Sequence, residues 1–273
     1  GKSPEGARVG RRDGRYVNGG DTGCRGGHPS GGVRAGFYRG WWGGVLSYHV
    51  RMDVHADNPP CFRYGQTELD HLRARDPRLA AAIDRIGLIR REVQPDLFHA
   101  LVHSIIGQQI STKAQITLWG KMQARFPGVT PDVVASCALD ELQGVGITFR
   151  KAGYIQDIAR SIVEGRTDLH ALAQLDDGAL CHALSQFRGI GVWTAEMLML
   201  FSLQRPDIVS YGDLAILRGM RMLYRHRAIT PQLFARYRRR YSPYGSTASL
   251  YLWAIAGGAL PELTDPGRLG KSK

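Results

Sequence analysis

Residues 187 to 213, FRGIGVWTAEMLMLFSLQRPDIVSYGD, set three chemically distinct features in a fixed order: a glycine turn, a helix and an isolated carboxylate. Gly189 and Gly191 flank one apolar residue, Ile190. Both glycines can take positive φ at no steric cost, so the backbone can turn sharply and leave its N–H groups unshielded. The run Thr194-Ala195-Glu196-Met197-Leu198 then reads as a helix leading away from the turn. Unpaired amides at a helix N-terminus, with the positive end of the macrodipole behind them, suit a phosphate. A plain connection between two helices is the other reading of the same glycines. Asp213 stands twenty residues after Trp193, directly before Leu-Ala-Ile-Leu. Locally it reads as a helix N-cap. A carboxylate fixed there could also compensate a positive charge that develops on a bound molecule.

The composition sets bounds on this chemistry. The chain has 273 residues, of which 43% are hydrophobic, enough for a real core in one large or two small domains. No apolar run approaches the roughly 18 residues of a membrane span. The N-terminus is basic and glycine-rich and lacks the apolar stretch of a signal peptide. An intracellular protein without a membrane partner is expected, in the cytoplasm or nucleoid if it is bacterial. Cys24, Cys61, Cys137 and Cys181 lie far apart, which does not indicate a disulfide framework. His99 and His103 stand four apart, as zinc ligands can, but no third ligand is near, so they are read as packing or surface histidines and no metal site is expected. The formal net charge is +12, and residues 205 to 240 hold nine arginines against Asp207 and Asp213. A basic face next to the glycine turn suits a polyanion and makes binding salt-dependent; a solvated helix surface is the alternative.

Local signals indicate which elements position these residues. Residues 1–51 contain 15 of the 34 glycines and follow neither a helical nor a strand period, so a disordered Gly/Arg-rich leader is expected there. The first methionine is Met52, and the leader reads as a translated upstream stretch or an appendage. Strand-like composition is confined to Gly36 to Val50. From residue 67 onward the chain reads as successive helices. Asp76-Pro77 caps one that ends at Gly87, Pro95 to Ile106 forms another, and Ser111 and Thr130 cap two more. An apolar stripe marks about Phe149 to Glu164. Further helices are expected near 176–187, 192–203, 213–224, 230–241 and 246–256. Leu142 to Ala152 looks like a degenerate second copy of the glycine hairpin, expected to pack structurally and to offer Arg150 or Lys151 to the surface.

The string Gly-Ile-Gly-Val-Trp-Thr-Ala, with Asp213 in Val-Ser-Tyr-Gly-Asp-Leu-Ala, resembles the helix-hairpin-helix DNA glycosylases whose Gly/Pro-rich loop ends in aspartate. Gly107-Gln108-Gln109-Ile110-Ser111-Thr112-Lys113-Ala114 upstream, and Ser242-Pro243-Tyr244-Gly245-Ser246 with Tyr251-Leu252-Trp253 downstream, are similar to the DNA-3-methyladenine glycosylase II (alkylbase) branch. The resemblance covers about residues 60 to 258. It implies an all-α fold of two helical lobes with a cleft between them, a glycosylase domain over 52–261, and a flexible tail over 262–273. The N-terminal β-sheet domain of some relatives has no room after Met52. No cysteine follows Cys181, so the iron–sulfur loop of endonuclease III-like relatives is excluded.

The resemblance also implies roles. Asp213 becomes the catalytic carboxylate, stabilising the deoxyribose cation that forms as a base leaves and orienting the attacking water. Trp193, Met197 and Trp253 match base-pocket positions, where tryptophan faces would attract a cationic alkylated purine. Gly189, Ile190, Gly191, Val192 and Thr194 match the DNA-binding hairpin, and Gln109 stands where relatives insert a wedge into the gap left by the flipped base. At position 193, where bifunctional relatives have a lysine, this chain has tryptophan, which cannot form a Schiff base. The expected function is monofunctional excision of 3-methyladenine-type bases from damaged double-stranded DNA by a monomer. No cofactor is required, and a monovalent cation at the hairpin is the one ion left open. Excision of deaminated or oxidised bases, or a non-catalytic DNA-binding module, are the alternatives.

Overall fold

The computed structural model describes residues 60–268. The expected leader, the strand-like stretch Gly36 to Val50 and residues 269–273 lie outside the described residues. Most helices begin where a side chain can accept the unpaired first-turn amides. Gly65 donates its N–H to Glu68 Oε2 at 2.7 Å at the start of α1 (Gln66–Arg75). Asp76 caps α2 (Pro77–Ile86), with Pro77 in the first position. Asp96, Ser111 and Thr130 cap α3 (Leu97–Gly107), α4 (Thr112–Arg125) and α5 (Pro131–Ser136). After α6 (Leu139–Gln143), Thr148 caps α7 (Phe149–Val163), Asp168 caps α8 (Leu169–Leu172) and Asp176 caps α9 (Asp177–Ser185). The series closes with α10 (Val192–Phe201), α11 (Leu214–Tyr224), α12 (Pro231–Tyr241) and α13 (Gly245–Ala256). The fold is all-α, and among the described residues the β pairing is one isolated bridge between Cys61 and Glu92. The short helices α6 and α8, of five and four residues, carry too few positions to show a period and were not expected.

Buried side chains gather in two cores. The first contains Leu101, Met122, Ile155, Leu180 and Leu200, from α3, α4, α7, α9 and α10. The second contains Leu72, Ile83, Met220, Tyr241 and Tyr251, from α1, α2, α11, α12 and α13. After Phe62, which joins the first core, the described chain therefore starts the second lobe, builds most of the first, and returns to finish the second, with Leu250 of α13 also reaching the first core. Tyr64, Ile89 and Trp253 pack against both cores.

Two devices hold the second lobe together. Asp76, 1% exposed, accepts from Tyr224 Oη at 2.9 Å and from the Arg240 guanidinium at 3.0 Å, which joins α2, α11 and α12. Gly219 lets α11 lie directly against α13, where a Cβ would stand 2.2 Å from the Leu252 carbonyl oxygen. Of the expected tail, residues 262 to 268 are tied down in part: Asp265 is 7% exposed and takes a bidentate pair from Arg221 at 2.8 and 2.6 Å. Five of the nine arginines between 205 and 240 (Arg205, Arg218, Arg221, Arg238 and Arg240) face carboxylates, while Arg225, Arg227, Arg236 and Arg239 are exposed.

In the first lobe, His99 and His103 both meet the edge of Trp119, with ring centroids 5.9 and 5.2 Å away. His103 is 3% exposed beside Gln115, whose Nε2 lies 3.0 Å from Nδ1, and burial pushes its pKa down to about 3. Because the folded value lies below the usual 6.5, this contribution is complete above about pH 6.5 and is lost as pH falls toward about 3. We predict a loss of up to about 1.4 kcal/mol per pH unit in that window, measured by urea unfolding at several pH values. His103→Gln should flatten the slope while lowering stability at neutral pH.

Candidate active site

The seam between the lobes is crossed by the segment from the end of α10 to the start of α11. Small polar residues of α13 satisfy its extended backbone. Ile208 donates its N–H to Ser246 Oγ at 2.9 Å, and Ser249 Oγ donates to the Ile208 carbonyl at 2.8 Å. Asp207 accepts from Gly245 N–H at 3.0 Å and from Ser242 Oγ at 2.7 Å. The Ser-Pro-Tyr-Gly-Ser stretch thus acts as a lace that fixes the loop leading to Asp213.

Asp213 is 1% exposed and caps α11. Its Oδ1 accepts from the N–H groups of Ala215 and Ile216, both at 2.8 Å, and from Trp253 Nε1 at 3.2 Å. Its Oδ2 accepts from Trp193 Nε1 at 3.2 Å. Four N–H donors and the positive end of a helix therefore converge on one carboxylate. The two readings of Asp213 coexist in the geometry: it is a cap, and it is also the meeting point of both tryptophans. Glu196, one turn beyond Trp193, adds a second acid nearby. Burial pushes its carboxyl above the usual range and the charge of Asp213 adds to this, while Arg238 opposes it.

The other expected site residues take varied places. Trp193 and Trp253 are half-buried and turn their N–H edges to the carboxylate, and Trp253 stacks on Phe201 with centroids 5.4 Å apart. Both rings thus serve first as donors to Asp213, a role the sequence did not reveal. Met197 is 4% exposed and belongs to the first core, behind the surface of the site.

In the hairpin, only Gly189 takes positive φ, at 88°; Gly191 is extended, with φ −88°, as an N-cap normally is. One left-handed glycine is therefore enough to make the sharp turn. Glycine is useful at 191 for another reason: no side chain among the described residues caps α10, and a Cβ at 191 would meet nothing within 4 Å. The first-turn amides of α10 have no acceptor within the helix. Ile190 and Thr194 are buried, at 4% and 9% exposure, and Ile190 donates its amide to the Phe187 carbonyl. Their side chains anchor the turn from behind, while Val192 stands 60% exposed at its tip. Gln109 is exposed in a separate loop with φ 58°. Of the two residues expected to offer themselves to the surface, Arg150 is exposed, while the half-buried Lys151 donates to the carbonyls of Ile106 and Gln108.

An uncapped glycine turn on an all-helical frame, with a buried aspartate where the chain re-enters the second lobe, is the arrangement of a helix-hairpin-helix protein. The particular family follows from comparison: the chain belongs to the HhH-GPD superfamily of base excision DNA repair proteins, whose family model matches residues 102–243, just over half of its length. It is 28% identical over 178 residues to DNA-3-methyladenine glycosylase 1 of Schizosaccharomyces pombe, spanning 63% of this chain and 76% of that one. DNA-3-methyladenine glycosylase 2 of Escherichia coli is 27% identical over 191 residues, 64% of this chain and 65% of that one. The crystal structure of a DNA-3-methyladenine glycosidase from Bacillus halodurans is similar at TM-score 0.69 and 31% identity, covering 77% of this chain and 98% of that one.

Replacing Asp213 by Asn keeps the cap oxygen but sets an amide N–H₂ against the Trp193 N–H. We predict a destabilisation of about 1–3 kcal/mol from that unsatisfied pair. Adding Trp193→Phe should recover part of it, and a double-mutant cycle in urea that shows simple additivity would contradict the contact.

Proposed function

We propose that this chain is a monofunctional DNA glycosylase of the DNA-3-methyladenine glycosylase II type, which removes alkylated purines from duplex DNA and leaves an abasic site. The observation that carries this reading is the Asp213 carboxylate held at the lobe seam by Trp193, Trp253 and its own helix. Oδ1 already accepts three N–H groups and Oδ2 one, so Oδ2 is the oxygen with lone-pair capacity to spare for a reacting sugar.

In this reaction the bond from C1′ to the base nitrogen breaks with its electron pair leaving on the base. An N-alkylated purine that carries positive charge departs neutral, so no dedicated general acid is needed. The sugar gains the positive charge, water adds to C1′, and the added water loses a proton. A carboxylate about 4 Å from the cation, at an effective dielectric near 20, contributes roughly 4 kcal/mol, or about a thousandfold in rate. Fixed N–H donors keep that charge in place before the substrate arrives, so little reorganisation is needed.

Flanking residues suit the same substrate. The open first turn of α10 suits a backbone phosphate, with the exposed tip of the hairpin beside it. The indoles of Trp193 and Trp253 offer a cationic base aromatic surface. By its match to the relatives' wedge position, and being exposed, Gln109 is the side chain assigned to fill the gap in the stack. Position 193 carries no amine, which favours hydrolysis over strand cleavage. The names of the relatives above support alkylated purine as the substrate class.

Purified protein incubated with methylated duplex DNA should release methylated purines and give strand breaks only after alkali. Asp213→Asn should lower single-turnover release by about a thousandfold while DNA affinity changes by only a few fold. Breaks without alkali, or full turnover by the Asn variant, would overturn the proposal.

A further inference from the structure

A junction of three chain segments, two of them joined by one ammonium group, lies beside the hairpin and takes no part in the chemistry above. Lys151 is in the first turn of α7. Its Nζ donates to the Ile106 carbonyl at 2.9 Å and to the Gln108 carbonyl at 2.6 Å. These carbonyls flank Gly107 at the end of α3, where helix geometry leaves acceptors unpaired and a cation is favoured. The next residue, Gln109, is exposed and adopts φ 58°, a left-handed backbone that glutamine rarely occupies unless its surroundings impose it.

The same junction reaches the glycine turn. Gln108 Nε2 donates to the Gly189 carbonyl at 2.6 Å. Tyr154, one turn after Lys151 on α7, fills the other side, where a Cβ on Gly189 would stand 2.6 Å from its ring. Arg188 covers that ring at 5.2 Å from its centroid. Gly189 is therefore gripped from the Gln108 loop on one side and from α7 on the other.

We infer that Lys151 is a positioning residue: by clamping the carbonyls on either side of Gly107, it holds Gln109 in its left-handed conformation at a fixed separation from the glycine hairpin. The side chain that parts the DNA stack and the amides that hold the backbone then act as one rigid part. The inference rests on the proposed function in one respect, that Gln109 enters the duplex. Lysine suits the task because its ammonium offers three donors and no acceptor, so one head group can serve two carbonyls.

The full chain can be tested at saturation on a duplex with 2-aminopurine beside a stable abasic-site analogue, where fluorescence rises as the probe unstacks. Wild type should give the rise, Gln109→Ala and Lys151→Met should each lose most of it, and Lys151→Arg should retain most of it. Single-turnover release from methylated duplex should fall about tenfold to a hundredfold in Lys151→Met, as expected for the loss of charged hydrogen bonds. Release from methylated single strands, which need no parting, should fall far less. An undiminished fluorescence rise in Lys151→Met, or an equal loss on both substrates, would overturn the inference. The fluorescence arm needs no turnover. A wild-type chain that unstacks the probe yet releases no methylated base would count against the glycosylase reading alone.

Discussion

A carboxylate withdrawn from water must recover its solvation from the protein, and Asp213 does so from three separate pieces of chain. Two amides come from its own helix, one indole from α10 in the first lobe and one from α13 in the second. An isolated buried charge is costly unless such donors are in place. The two lobes must therefore close on each other for the acid to be tolerated at all. Closure of the fold and formation of the site are in this sense one event, and the donors that satisfy the resting carboxylate also fix where its charge sits.

The surroundings keep that arrangement stiff. The loop before Asp213 carries little regular structure, yet Ser246 and Ser249 give its backbone defined partners, and the Asp207 side chain accepts from the Gly245 N–H of α13. Gly219 brings α11 within backbone contact of α13, so the helix that Asp213 starts and the helix that carries Trp253 have little freedom to slide. A site supported by two packed helices and a laced loop holds its geometry better than one carried on a free loop.

Much of this was legible in the chain itself. Asp76, Ser111, Thr130 and Asp213 are caps whose acceptor chemistry marks a helix start by local rules, and each does cap a helix. The glycine turn and its distance to Asp213 were likewise visible. Local rules do not report where a side chain points when its partner is distant in sequence. Trp253 reaches its acceptor across forty residues, and Lys151 meets carbonyls more than forty residues upstream. The partners of Arg205, Arg221 and Arg240 in the basic segment, Asp177, Asp265 and Asp76, lie outside its window and were not visible to local reading. Met197, matched to a pocket position by resemblance, is buried in the first core, a burial that the match itself does not report.

The threading of the two cores bears on how the molecule comes into being. Helices α1 and α2 emerge early in synthesis, yet the surfaces they cover belong to α11, α12 and α13, which emerge last. Their apolar faces must wait while the whole intervening lobe is made, which is a high contact order for an all-helical protein. The lobe between can condense on the ribosome from contacts within its own stretch. A nascent chain halted before α13 would have the hairpin and Asp213 but not Trp253, so the glycine turn and the last of the four donors to the acid arise at different moments of translation.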